Sequence, residues 1–183
     1  MIKKINLIES NRKLTAKDII LRLSWSIFSP PIFNLPGRLF SPLRVCLLRL
    51  FGSQIGNKVL ICSGVHIWLP WNLHIGNHSA IGRKVEIYGY APIYIGSDTV
   101  ISQYAYLCGA SHDYESSSMD LTSEPIKIGN YCWIAANAMI TQGVSIGEGT
   151  VIGARSVVTK SMPDWIVAAG IPARIIKDRV IKK

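Results

Sequence analysis

His112 and Asp113 stand side by side in "LCGASHDYESSSMDL", residues 107–121. An imidazole with the ordinary pKa of about 6.5 is mostly neutral at neutral pH and can accept a hydroxyl proton. A neighbouring carboxylate could orient the ring or bind a substrate, and it could equally be a solvated loop residue. Glu115, Asp120 and Glu124 follow, so four of the chain's eleven acids fall between residues 113 and 127. With Tyr114 and Ser116–Ser118 they form a stretch able to hydrogen-bond a polyol, or an ordinary polar loop. Upstream, Tyr88 and Tyr90 could stack on a sugar ring or simply stand outward from a strand.

Other chemistries are offered more weakly. His74, His78 and His112 could be read as three ligands of a catalytic zinc ion. The cysteines, at 46, 62, 108 and 132, make no CxxC pair and no zinc spacing. They read as reduced, buried, small side chains of a cytosolic protein, Cys108 included. The net charge of +9 could suggest nucleic acid, but no recognition motif accompanies it.

What positions His112 is a repeat. From Ile55 the chain runs in sixes, whose first residues are Ile55, Ile61, Ile67, Ile75, Ile81, Ile87, Ile95, Ile101, Leu107, Ile128, Ile134, Ile140, Ile146, Ile152 and Val158. Thirteen of the fifteen fifth positions are Val, Ala, Ser, Thr or Cys, the exceptions being Trp71 and Met162. A flat strand would bury positions one, three and five alike, yet position three is mostly polar or small, as at Asn57, Ser63, Asn77, Arg83 and Gln103. The chain must therefore turn a corner within every six residues. Three sixes close a triangle, and triangles stack about 4.8 Å apart as a parallel β-solenoid.

Glycines 56, 76, 96, 129 and 147 open each group of three sixes. Groups start at 55, 75, 95, 128 and 146. The first two carry two extra residues, Leu73–His74 and Ile93–Tyr94, and the third carries residues 113–127 at that same corner. The break after His112 thus falls at the one corner that accepts insertions. A fifteen-residue loop in so economical a fold is a functional candidate.

Residues 1–52 hold nine Lys/Arg and two acids, +7 of the total +9, and are rich in Leu, Ile, Phe and Trp. The longest uncharged run there, Leu23–Gly37, is fifteen residues and contains Pro30, Pro31 and Pro36. A membrane span needs about 20 apolar residues, and a secretory signal lacks such prolines. Two amphipathic helices over 15–28 and 38–51 with a proline hinge are expected. They would cap the solenoid, or also touch an anionic membrane surface. The chain so divides into a basic helical segment (1–52), the solenoid (53–163, with loop 113–127) and a short tail (164–183).

The hexapeptide run, together with "IWLPWNLHIG", "VISQYAYLCGASHDY", "YCWIAANAMITQGVSIGEGTVIGARSVVTKSMP" and "VAAGIPARII", resembles the left-handed β-helix acyltransferases over nearly the whole chain. Within them it is similar to the colanic acid biosynthesis acetyltransferase subgroup and, more distantly, to galactoside and nodulation acetyltransferases. The resemblance implies an all-β, left-handed parallel β-helix, and its handedness rests on that resemblance alone. It implies an O-acetyltransferase moving an acetyl group from acetyl-CoA to a sugar hydroxyl in surface-polysaccharide or lipid-linked oligosaccharide assembly, with no metal. His112 would be the general base and Asp113 its companion. Trp133, Ala136, Ala154 and Thr159 would line the pantetheine groove, and an N–H near Ala136 would face the oxyanion. Lys160, Arg174 and Lys177 would meet the CoA phosphates, though the family often carries arginine at the last. Tyr88, Tyr114 and Glu115 are the candidate acceptor contacts. Lys84 falls where the galactoside enzymes carry an acceptor-binding asparagine, which implies a different acceptor. The groove would lie between subunits of a homotrimer in the cytoplasm, peripheral at the inner face of the inner membrane if residues 1–52 touch lipid.

Three alternatives carry discriminators. An antibiotic acetyltransferase shares the fold and base but differs in acceptor. A non-catalytic scaffold would need neither His112 nor a basic tail. A zinc carbonic anhydrase of this fold places its paired histidines after the lone one, whereas His74 and His78 precede His112.

Overall fold

The computed structural model describes residues 14–182 together with Ile5. The remainder of the basic N-terminal stretch lies outside the described residues, and with it Lys3, Lys4, Arg12 and Lys13 of the proposed membrane segment.

Residues 54–158 wind into a triangular prism of five full coils, and the start of a sixth follows. The first wall is Gln54–Ile55, Leu73–Ile75, Ile93–Ile95, Ile126–Ile128 and Ser145–Ile146, all parallel. The second is Leu60–Ile61, Ala80–Ile81, Val100–Ile101, Trp133–Ile134 and Val151–Ile152. The third is His66–Ile67, Glu86–Tyr88, Tyr106–Cys108, Met139–Thr141 and Val157–Val158. Register is one coil per step, as in Ile55↔Ile75 and Ile61↔Ile81.

All fifteen position-one residues are buried on the axis. Corners are turned by a left-handed residue at position four. Lys58, His78, Asp98 and Tyr131 do this after the first wall, and Lys84, Tyr104, Asn137 and Arg155 after the second, with φ between 53° and 60°. Each such residue costs about 1–2 kcal/mol. Burying one aliphatic side chain returns about 1.5–3 kcal/mol, so the corner is sustained by the core residue it turns inward. At position two the coils nearly touch: a Cβ on Gly96 would lie 2.5 Å from the Gly129 carbonyl carbon. Of the fifth positions, Trp71 is half-buried in a 3₁₀ turn, Pro70–Asn72, and Ser111 is exposed because the chain leaves the prism there.

Smallness is only part of the fifth-position rule. At the first corner these residues form a hydroxyl ladder. Ser79 Oγ donates to Gly96 O (2.7 Å) and accepts from Thr99 N (3.0 Å), and Thr99 Oγ1 donates to Gly129 O (2.8 Å) and accepts from Cys132 N (3.0 Å). Cys132 Sγ continues to Gly147 O at 3.0 Å, and burial holds this thiol's pKa above its usual value.

Helix α1 spans Ala16–Phe33, five residues longer at its C-terminus than expected, with Pro30 and Pro31 inside it. Thr15 and Asp18 form a capping box at its start. The prolines are tolerated because they fall in the last turn. The carbonyls they leave without donors belong to Ser26 and Ile27, which face solvent, and Asn34 N–H still reaches Pro30 O at 3.0 Å. The break comes instead at Asn34–Gly37. A 3₁₀ turn, Arg38–Phe40, then leads into helix α2, Ser41–Leu50, which packs on the first coil. No helix among the described residues is long and apolar enough to cross a membrane.

At the other end Ile166–Gly170 and Ala173–Asp178 form an antiparallel hairpin that extends the second wall. The excursion at the third corner also differs from expectation. The chain leaves at Ala110, pairs Ala110–His112 with Leu121–Ser123 as a hairpin, and is back in the first wall by Ile126, so Ile126 and Lys127 belong to the wall rather than to the loop.

Thr99→Val should lower stability to chemical denaturation by about 1–3 kcal/mol, because it leaves Gly129 O and Cys132 N unpaired in the interior. Thr99→Ser keeps both bonds and should cost distinctly less.

Candidate active site

His112 ends the outgoing strand of the third-corner hairpin and is exposed. Its Nδ1 lies 2.7 Å from the carbonyl oxygen of Met119 across the hairpin. A carbonyl only accepts, so Nδ1 is the donor, and in the neutral ring Nε2 is the nitrogen with the lone pair. Asp113 has another task. Its Oδ1 accepts the Glu115 N–H at 3.0 Å and its own N–H donates to Asp120 O at 2.9 Å, an Asx turn that shapes the loop. The ring is therefore oriented by the Met119 carbonyl, a partner that no side-chain pattern announces.

The loop is braced internally. Ser118 Oγ donates to Asp120 Oδ2 at 2.9 Å and pairs with Ser116 Oγ at 2.8 Å. Gln142 Nε2, on the fourth coil, donates to Thr122 Oγ1 at 2.9 Å and ties the hairpin to the prism. Tyr114 and Glu115 are exposed at its tip, Tyr114 at 84%.

Below His112 on the same edge lies an aromatic cluster. Trp68, Tyr88 and Cys108 occupy the same place in successive coils, and Tyr88↔Cys108 is a register pair. The rings of Trp68 and Tyr88 are 5.4 Å apart and those of Tyr88 and Tyr90 5.2 Å. Burial, then the neighbouring Tyr90, pushes the Tyr88 phenol up to about 12. Burial and a hydrogen bond with Cys108 likewise raise Tyr106. Cys108 Sγ is turned to Ala110 O at 3.3 Å.

The remaining candidates divide between two edges. Thr159 and Lys160 follow the third wall of the fifth coil, on the edge that carries His112. Trp133 projects from the second wall, 48% exposed, with Nε1 donating to Ser102 Oγ at 2.9 Å. Ala136 and Ala154 follow that wall in the fourth and fifth coils, and Arg174 and Lys177 lie on the hairpin that extends it. Trp133, Val151, Val167 and Lys177 share one row. The Ala136 N–H makes no hydrogen bond among the described residues. At the first corner the equivalent N–H groups are taken by side chains of the next coil, as Asn57 N by Asn77 Oδ1. Ala154 has no such acceptor to offer. A cleft of about 610 Å³ continues this second edge toward the N-terminus, lined by Arg38, Cys62, Arg83 and Tyr104 among others. One full wall of the prism separates the His112 edge from the Trp133–Ala136 edge.

The repeat itself matches the family described as bacterial transferase hexapeptide (six repeats) over residues 125–160. Across 162 residues the chain is 42% identical to the Escherichia coli protein named "Putative colanic acid biosynthesis acetyltransferase WcaF", covering 88% of each. The chain belongs to the hexapeptide-repeat acetyltransferase family. It is 31% identical to galactoside O-acetyltransferase of E. coli over 138 residues, 74% of this chain and 68% of that one. Among solved structures, a hexapeptide-repeat acetyltransferase from Vibrio cholerae complexed with acetyl-CoA superimposes with a TM-score of 0.82 at 30% identity, over 94% of both chains. The solenoid is thus the left-handed parallel β-helix of these acetyltransferases.

The three histidines of the zinc reading are dispersed in this acetyltransferase. His74 stacks on Tyr94 of the first wall (4.6 Å between centroids), where burial lowers its pKa. His78 faces Asp98 at 3.4 Å at the first corner, and His112 is beyond the third wall. Among the described residues no three potential ligands converge. Elemental analysis of the purified protein should find no stoichiometric zinc, and dialysis against a chelator should leave thiol release from acetyl-CoA unchanged.

Proposed function

We propose that the protein transfers an acetyl group from acetyl-CoA to a saccharide hydroxyl during surface-polysaccharide or lipid-linked oligosaccharide assembly, with His112 as general base. The observation that carries this reading is the Nδ1–Met119 hydrogen bond, which in the neutral ring puts the lone pair on Nε2, at an exposed position beside the loop. The names of the relatives, colanic acid biosynthesis and galactoside acetylation, support a saccharide acceptor.

In the reaction the acceptor hydroxyl gives its proton to His112 Nε2 as its oxygen bonds to the thioester carbonyl carbon. The carbonyl electron pair moves onto oxygen, which the Ala136 N–H is free to meet. Collapse of the tetrahedral intermediate breaks the C–S bond, and the imidazolium returns the proton to the departing thiolate of CoA. A thioester is already activated, so no enzyme nucleophile is required. Cys108, turned to Ala110 O, has no step to perform. Lys160, Arg174 and Lys177, all exposed, would meet the CoA phosphates.

The site is divided between chains. The His112 edge and the Trp133–Ala136 edge are a wall apart in one prism, so a second copy must bring its own second wall against the first copy's loop. Three copies around an axis parallel to the prisms satisfy every edge alike. The outward row on the second wall supports this: Val100 is 43% exposed and Trp133 48%, beside Ile175 and Ile176 on the hairpin. The outer face of α1 bears exposed Ile19, Ile20, Leu23, Ile27 and Phe28 with Lys17. We assign it to peripheral contact with an anionic membrane, which would deliver a lipid-linked acceptor.

Acetyl-CoA should titrate calorimetrically with near-micromolar affinity, about −8 kcal/mol, and Lys160→Ala should weaken it. His112→Ala should lower kcat by about 10²–10⁴ while acetyl-CoA still binds; an unaffected kcat would remove His112 from the chemistry. Co-expression of His112→Ala with Ala154→Trp, each inactive alone, should restore part of the activity, because mixed trimers contain some intact sites. Absence of restoration, with mixed trimers present, would place each site within one chain. Ile20→Ser, Leu23→Ser and Ile27→Ser together should abolish co-sedimentation with anionic vesicles; retained binding would assign lipid contact elsewhere.

A further inference from the structure

The first coil exposes three position-one carbonyls that no lower coil serves, and the helices meet all three. Arg49 Nη2 donates to Ile55 O at 2.8 Å, Arg44 Nη1 to Ile61 O at 2.9 Å, and Trp25 Nε1 to Ile67 O at 2.7 Å. Arg22 is a further cation on the prism-facing side of α1, with no carbonyl left to serve. Its guanidinium carbon sits 3.5 Å from the centroid of the Trp68 ring. It makes no hydrogen bond or ion pair among the described residues. Stacking uses the flat face of the guanidinium and leaves its edge N–H donors free. A half-buried arginine fixed in orientation and lacking a counter-ion is a preformed oxyanion site.

Its neighbours say which oxyanion would come. Tyr88 packs on the same Trp68 ring (5.4 Å between centroids), and Tyr90 touches Tyr88. This cluster occupies the edge that carries His112. Trp68 is in the first coil, two coil rises or about 10 Å along the axis below Cys108, and the strand that ends at His112 leaves from that third coil. The opposite side of α1 is the apolar stripe of Ile20, Leu23 and Ile27, 60–69% exposed.

Resting on the acetyltransferase reading above, we propose that Arg22 is an anion subsite of the acceptor. It binds a phosphate carried by the glycan, whose sugar passes Tyr88 and Tyr90 to reach His112. An acceptor linked to lipid through phosphate would then have its lipid beside the outer face of α1, its phosphate at Arg22 and its hydroxyl at Nε2.

The test is calorimetric titration of the full chain, loaded with CoA, using galactose 1-phosphate, glucose 1-phosphate, inorganic phosphate and the two free sugars. Phosphorylated sugars should bind about tenfold or more tightly than the free sugars. Arg22→Gln should erase that preference, and Arg22→Lys should retain part of it. Trp68→Leu, which keeps the charge and removes its support, should weaken it. A second arm floats neutral phosphatidylcholine vesicles with or without polyprenyl phosphate. Recruitment that requires the lipid phosphate and is lost in Arg22→Gln identifies a lipid-linked source; a preference confined to the soluble arm identifies a soluble glycosyl phosphate. Equal affinity for phosphorylated and free sugars, no phosphate binding at millimolar concentration, or a preference that survives Arg22→Gln overturns the subsite. Acetyl-CoA titration of each variant separates these failures from failure of the transferase reading: a chain that binds acetyl-CoA without phosphate preference loses only the subsite.

Discussion

Each coil hangs from the next through repeated backbone hydrogen bonds, one of which runs from a position-two N–H to the position-one carbonyl one coil on. Gly56 N to Ile75 O, Cys62 N to Ile81 O and Trp68 N to Ile87 O, at 2.8–3.0 Å, are the first three. Such a ladder buries every aliphatic on the axis but cannot end itself, and an open edge invites pairing with another chain. The protein closes the two ends differently. At the C-terminal end a hairpin lies along the second wall, and Arg179 Nη1 reaches back to the carbonyls of Tyr131 and Gly149. At the N-terminal end the two helices offer one side chain to each wall. Arg44 is the extreme case. It is fully buried and also donates to Gly37 O and Leu35 O, and burial lowers its pKa. Its charge is tolerated because a ring of backbone carbonyls solvates it in place of water.

A prism held this way is stiff, so chemistry has to be placed on its edges. The position-one residues cannot be varied and the position-two glycines admit no side chain. What remains free is the third corner, where the chain can leave and return without breaking a wall. The loop departs there, and the antiparallel pairing of Ala110–His112 with Leu121–Ser123 makes its base rigid. His112 thus stands on a short sheet rather than on a floppy tip, and the partner strand brings the Met119 carbonyl to Nδ1. Placement on one edge also means that a groove needs a second edge, and a convex prism does not offer two facing edges to one ligand. In the proposed reaction, assembly would then serve the chemistry as much as stability.

The parts legible in the sequence were those with a period. Fifteen aliphatics at six-residue spacing fixed the walls, and the two-residue inserts marked the corner from which the loop departs. Pairings across space were not legible. Thr99 and Cys132 read as small residues, and their ladder needs a partner one coil away. Arg44 and Arg49 read as part of a basic surface, yet both donate to backbone carbonyls of the prism or its approach. Two of the seven net charges credited to the N-terminal segment are therefore structural, and the membrane reading rests on fewer. Pro30 and Pro31 read as a hinge, since sequence does not tell a last turn from an interior one. For His112 the residue was legible but its tautomer was not, because a backbone oxygen seven residues on decides it.

Helix α1 joins these threads. Its prism-facing side carries Trp25, which closes the third wall of the ladder, and Arg22, which lies over Trp68 one turn earlier. Its outer side is apolar and exposed over Ile19 to Phe28. A helix needed only as a cap would put polar residues on that outer side, since exposed apolar residues at helical spacing add nothing to the fold and promote aggregation. A helix needed only for a membrane would not require an arginine laid on an indole at the edge that carries the His112 loop. Both features on one element follow if the end of the prism that must be capped is also the end from which the acceptor approaches. In a trimer with parallel prisms, all three copies of α1 lie at that same end. Three weak apolar faces would then engage one surface together, and binding at one would make binding at the others nearly intramolecular.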